Sequence, residues 1–295
     1  MSESLGVSLF RPEGKLKAVV QIVHGMSEHR KRYEDFAEFL KSHGYGVVTF
    51  DLPGHGESAE GGLKGYFGEK GGWDHLLYAT HQVTEQIKKE CPGVPIVLFG
   101  HSMGSIIGRC YIQQYDDELA GTILSGVPNY QPAAKLGQTL GNFIKRFKGG
   151  KGYSRLMDYL VTGTFNKAVK DPKTPFDWIS YNEENVSKYA KDSNCGFPFT
   201  IQGYIDELEG VVRMHEVSLY KGKHKEMPLF VFAGEDDPCR GGDAGFEDTI
   251  NTLKQAGYKD ITTKLYANMR HEVLNEKDHM VVYEDVLNWL EEKIH

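Results

Sequence analysis

One short stretch constrains this chain more than any other: Pro95-Ile96-Val97-Leu98-Phe99-Gly100-His101-Ser102-Met103-Gly104. The run from Ile96 to Phe99 has the length and side chains of a buried parallel strand, and residues 103 to 115 carry a helical pattern. Ser102 therefore falls on a strand-to-helix junction, inside Gly-x-Ser-x-Gly. A junction that sharp holds its central residue in a strained backbone and needs glycine on both sides, so that strand and helix can meet closely. The five-residue pattern alone is a weak signal. Strand and helix on its flanks turn it into a candidate nucleophile elbow, with the serine hydroxyl held out at the edge of a sheet.

The rest of the chain supplies that sheet. Strands are expected over residues 6–10, 17–23, 45–50 and 119–125, and helices over 31–43 and 73–90. This alternation builds a mostly parallel sheet with helices on both faces. It stops near residue 128. From 128 to 225 the pattern is mainly helical, broken by Gly and Pro, and too long for a loop. Strands at 229–233 and 261–266 and helices at 243–256 and 278–293 then resume the alternation. The expected architecture is one α/β core, residues 1–127 and 226–295, with a mainly helical cap inserted at 128–225.

Composition excludes several functions. A net charge of −7 offers no basic surface for a phosphate backbone, so nucleic acid is not an expected partner. Cys91, Cys110, Cys195 and Cys239 show no zinc-type spacing and are sparse for a disulfide scaffold, which fits reduced thiols in a cytoplasm. Met1 to Gly6 has neither the basic nor the apolar region of a secretory leader, and no apolar run reaches the roughly 18 residues of a membrane span. A cytoplasmic location is the expectation.

A serine hydroxyl needs a base within hydrogen-bond reach and a group that orients the base. With this elbow, an acid and then a histidine come from the ends of later strands. Only His215, His224, His271, His279 and His295 follow Ser102, and only His271 lies in a strand-to-helix loop. For the acid, the strand at 229–233 runs into Gly234-Glu235-Asp236-Asp237-Pro238, and position leaves both aspartates open. Backbone N–H groups aimed at a developing oxyanion are expected from Met103, at the helix start, and from Met26, in the loop after the strand at 17–23. His24, Glu28, His29 and His101 lie near this site, but they lack the paired spacing of a metal centre. Neither metal nor cofactor is expected.

Five ordered segments now stand together: His24-Gly25-Met26-Ser27-Glu28-His29, Gly54-His55-Gly56-Glu57-Ser58, Gly100-His101-Ser102-Met103-Gly104, Gly234-Glu235-Asp236-Asp237-Pro238 and Arg270-His271-Glu272. They resemble the monoacylglycerol lipase and lysophospholipase-like α/β-hydrolases, most of all their bacterial branch. Phe176-Asp177-Trp178-Ile179-Ser180 and Cys195-Gly196-Phe197-Pro198-Phe199-Thr200 extend the likeness into the cap. The resemblance implies a serine carboxylic-ester hydrolase acting on monoacylglycerols or similar esters through an acyl-enzyme. It selects Asp237, three residues after the strand-end glycine and before proline, and implies Ser102 as nucleophile, His271 as base, and Met26 and Met103 as oxyanion donors. Lysophospholipases, thioesterases and aminopeptidases use the same triad, and a non-catalytic binding protein of this fold is the reading from another class. Relative to the family, the chain ahead of Val7 is short, so the first antiparallel strand is expected to be missing or frayed.

In the cap, Leu136, Leu140, Phe143, Ile144 and Phe147 recur at helical spacing beside the basic Lys145, Arg146, Lys148, Lys151 and Arg155. Such a face either packs on the core with its charges solvated, or it lines an acyl tunnel or touches a lipid surface, with the basic cluster attracting anionic head groups. Phe143, Trp178, Cys195, Phe197 and Phe199 are the candidate substrate contacts, with packing as the competing role for the cysteine. Acyl length, head group and oligomeric state are not written in these motifs.

Overall fold

The computed structural model describes residues 5–59 and 61–294. The sheet begins with β1 (Val7–Phe10) and β2 (Val19–Val23), then α1 (Glu34–Ser42), β3 (Gly46–Phe50), α2 (Gly72–Glu90) and β4 (Ile96–His101). Next come α3 (Met103–Tyr115) and β5 (Gly121–Ser125). The stretch after β5 holds α4 (Ala134–Lys148), α5 (Arg155–Val161), α6 (Glu183–Lys191) and α7 (Ile201–His215). Then follow β6 (Leu229–Gly234), α8 (Gly242–Gln255), β7 (Ile261–Tyr266) and α9 (His279–Lys293). A strand ahead of β1 would fall largely on residues 1–4, outside the described residues.

The strands lie in the order β1-β3-β2-β4-β5-β6-β7; β1 is antiparallel to β3, and every other neighbouring pair is parallel. Alternation along each strand divides its side chains between two cores. Val19 and Val23 join Leu98 in a cluster with Trp73 and Leu76 of α2 and Ile107 and Tyr111 of α3. Val20 and Ile22 join Val97 and Phe99 in another with Phe36 and Leu40 of α1 and Val286 and Leu290 of α9. Because both faces are covered, β2 to β6 read as near-continuous apolar runs.

Between β5 and β6, small residues decide how the helices pack. A Cβ on Gly210 would stand 2.2 Å from the Trp73 ring, so α7 is pressed onto α2. Cβ atoms on Gly137 and Gly141 of α4 would stand 2.9 Å from Leu208 and 2.7 Å from Ile205 of α7. The glycine stripe of α4 therefore faces inward, and part of the large apolar stripe faces out: Phe143 and Phe147 are 57% and 76% exposed. Leu140 and Ile144 are half-buried. No helix among the described residues is long and apolar enough to cross a membrane.

Candidate active site

Ser102 joins β4 to α3 with φ 55° and ψ −120°, a backbone region that side chains other than glycine's occupy only under strain. Neighbouring groups hold it there. Its N–H donates to the Ser125 carbonyl at 3.0 Å, and its own carbonyl accepts from the N–H of Ser105 at 2.8 Å and of Ile106 at 3.2 Å. The flanking glycines are sterically required: a Cβ on Gly100 would lie 2.2 Å from the Gly104 carbonyl oxygen, and one on Gly104 would lie 2.1 Å from that of Val23.

The ends of β6 and β7 bring a carboxylate and a histidine together. Asp237 and His271 are both buried, with His271 Nδ1 2.9 Å from Asp237 Oδ2. The other Asp237 oxygen accepts from the Cys239 N–H at 2.8 Å, which fixes the carboxylate plane. Asp236 points elsewhere and accepts from the Tyr181 hydroxyl at 3.0 Å. The two aspartates left open by position thus diverge, Asp236 lying in the turn after β6 and Asp237 on the extended residue that follows it. Burial works to lower the His271 pKa, but the Asp237 charge and hydrogen bond, with Glu272 and Glu28 behind them, outweigh it; the net shift is upward from 6.5. His101, whose ring centroid is 4.8 Å from that of His271, is driven down to about 4, chiefly by burial and then by the His271 charge.

Ser102, His271, Met26 and Met103 line one cavity of about 960 Å³. Met103 opens α3, where the first N–H groups have no intrahelical acceptor. Met26 lies in a loop drawn close to the serine, since a Cβ on Gly25 would be 3.0 Å from Ser102 Cβ. Buried imidazoles shape that loop: His24 Nε2 accepts from the Leu52 N–H at 3.0 Å, and His55 Nε2 accepts from the Ser27 N–H at 3.4 Å. Burial depresses both histidine pKa values, which suits neutral acceptors.

Of the five candidate substrate contacts, Trp178 and Phe197 are on the cavity wall. The Trp178 ring stands 4.9 Å from that of His271. The other three are not on that wall. Phe143 is on the outward stripe of α4 and stacks edge-on with Phe147. Cys195 packs in a small buried cluster with Ile179, Val186 and Tyr189. Phe199 is fully buried between Phe67, His55 and Tyr204. Aromatic and thiol composition marked them; helix rotation and chain direction, which only packing sets, turned them away.

Sequence reasoning missed Arg32. Its guanidinium donates to Glu28 at 2.8 Å and to both oxygens of Glu272 at 2.5 and 2.7 Å, with all three side chains largely buried. Glu28 in turn accepts from the Gly25 N–H and the Tyr33 hydroxyl. The network ties the Met26 loop to the residue after His271. Burial pushes the Glu28 carboxyl up, but Arg32, His101 and His24 prevail and hold it below its ordinary value. Only the i, i+4 spacing of Glu28 and Arg32 was visible beforehand.

A strained serine after a central strand, with a histidine–carboxylate pair at the same edge of a parallel sheet, defines the α/β-hydrolase class. A family model, Hydrolase_4 (Serine aminopeptidase, S33), matches residues 14–278, and the chain belongs to this family. Monoglyceride lipase of Mus musculus is 31% identical over 295 residues, covering 97% of this chain and 86% of that protein. An uncharacterized abhydrolase domain-containing protein of Dictyostelium discoideum is 27% identical across 99% of this chain, which spans only 28% of that relative's length. A thermostable carboxyl esterase from Bacillus coagulans, solved with glycerol, superposes with a TM-score of 0.92 at 29% identity, covering 100% of this chain and 96% of that one. The likeness to monoacylglycerol lipases noted in the motifs thus extends over the whole fold.

Proposed function

We propose that this protein is a serine hydrolase of carboxylic esters, acting on monoacylglycerol-like substrates through an acyl-enzyme. The observation that carries the reading is the buried His271–Asp237 pair, 2.9 Å apart, whose histidine lines the same cavity as the strained Ser102. In this mechanism Ser102 Oγ attacks the ester carbonyl while His271 Nε2 takes its proton. Asp237 holds the Nδ1–H and stabilises the imidazolium that results. The carbonyl oxygen becomes an oxyanion facing the N–H groups of Met26 and Met103. Collapse expels the alcohol, which receives the proton from His271. Water then repeats the sequence on the acyl-serine and releases the acid.

Residues 1–127 and 226–295 act in this account as the core and 128–225 as a cap over the site. The apolar wall formed by Leu140 of α4, Met157 of α5, and Leu208 and Val211 of α7 suits an acyl chain. The outward Phe143 and Phe147, beside Lys145, Arg146 and Lys148, suit transient contact with an anionic lipid surface. The four free thiols suit a cytoplasmic setting.

The relatives' names support the ester reading, and the family description keeps an aminopeptidase in view. Parallel assays of monoacylglycerols, lysophospholipids, thioesters and aminoacyl amides decide between these. The expected order puts monoacylglycerol first by kcat/KM, and a higher value for any other class would replace the assignment.

A further inference from the structure

The cavity wall carries four carboxyl groups, and three have protein partners: Glu28 and Glu272 share Arg32, and Asp158 accepts from the Tyr204 hydroxyl. The fourth, Glu207 on α7, is different. The residue is 7% exposed, its Oε2 is buried without a hydrogen-bond partner, and among the described residues no cation lies against it. The neighbouring Asp206, which is not on the cavity wall, accepts from Gln202 at 2.8 Å. Leu208 and Val211 of the same helix and Met103 and Ile106 of α3 line the same cavity, as does Cys239, whose thiol feels the Glu207 charge.

The geometry points to Glu207 as a specificity-determining residue that takes a hydrogen-bond donor, a hydroxyl or an ammonium, carried on the acyl part of the substrate. The inference rests on the reading of this cavity as the acyl-binding site. A plain alkyl chain laid past Glu207 strips it of water and returns nothing, whereas a chain with a donor at the right depth completes the site. Burial raises the Glu207 carboxyl to about 8, so protonated and ionised forms coexist near neutral pH. A hydroxyl can pair with either form; an ammonium pairs with the carboxylate.

The test compares p-nitrophenyl esters of straight-chain acids with the ω-hydroxy and ω-amino acids of the same lengths, on wild type, Glu207→Leu and Glu207→Gln. In wild type, one chain length should favour a donor-bearing ester over its plain counterpart by roughly tenfold or more in kcat/KM. Glu207→Leu should collapse that ratio, chiefly by improving the plain chain. Glu207→Gln separates the two donors: it keeps a preference for hydroxyl and loses one for ammonium. Equal ratios in wild type and Glu207→Leu at every length overturn the inference, provided a fluorophosphonate still labels Ser102. Failure of Ser102 to label removes the catalytic reading itself, and this inference with it.

Discussion

Arg32 and Glu272 are 240 residues apart in sequence and meet in a two-pronged contact of 2.5 and 2.7 Å beneath the site. Glu272 follows His271 directly, and Arg32 also holds Glu28 of the Met26 loop. The ion pair therefore ties the histidine loop to the Met26 loop, the proposed source of one oxyanion donor. Replacing Arg32 by Met leaves two buried carboxylates without a cation, a loss of about 3–5 kcal/mol. Denaturant unfolding should show that loss through a lower midpoint with the slope unchanged; a loss below about 1 kcal/mol contradicts the account.

The pH dependence follows from the Asp237–His271 pair. The base acts when neutral, and its pKa lies above 6.5, so kcat/KM should rise with a midpoint above 6.5. Asp237→Asn removes the main raising charge: the midpoint should fall, and kcat should drop about 10⁴-fold as the favoured tautomer is lost. Stability has the matching sign. A raised pKa in the folded state stabilises most below 6.5 and is lost as pH climbs through the folded value, so the deficit of Asp237→Asn should shrink toward alkaline pH. A profile flat from acid to alkaline pH argues against a histidine base.

Lipid contact has its own variant. Phe143→Ser with Phe147→Ser removes exposed rings that pack mainly on each other, so stability should shift by no more than about 0.5 kcal/mol per site. Cosedimentation with vesicles containing phosphatidylglycerol should fall severalfold, while hydrolysis of a water-soluble ester stays unchanged. Equal sedimentation of the two proteins removes the outward stripe of α4 from any lipid role.

The apolar wall can be filled. Leu140 is half-buried on the cavity wall, and Leu140→Trp intrudes on that space. Long-chain esters should lose about tenfold or more in kcat/KM relative to a butyrate ester. A uniform loss across chain lengths places the acyl group elsewhere.

Much of this was legible in the sequence because local rules and global packing agree in the core. The runs that read as buried strands form β2 to β6, and the Gly100 and Gly104 positions mark an approach no other residue permits. Ser102 and His271 stood out as candidates because the fold delivers such residues from strand ends, while Asp237 was separated from Asp236 only by the family resemblance. The cap was harder. Periodicity identified α4 and its apolar stripe but not that Gly137 and Gly141 would carry the packing, which turned Phe143 outward. Arg32 with Glu272, and the solitary Glu207, depend on contacts between distant segments and leave no local periodic trace.

The central claim is that Ser102 carries the acyl group, and trapping that intermediate tests it most directly. The protein is mixed with a p-nitrophenyl ester, quenched in acid within the first turnovers, digested and analysed by mass spectrometry. The account predicts one acyl adduct, on the peptide containing Ser102, and neither adduct nor turnover in Ser102→Ala. An adduct on another residue, or turnover retained by Ser102→Ala, contradicts it.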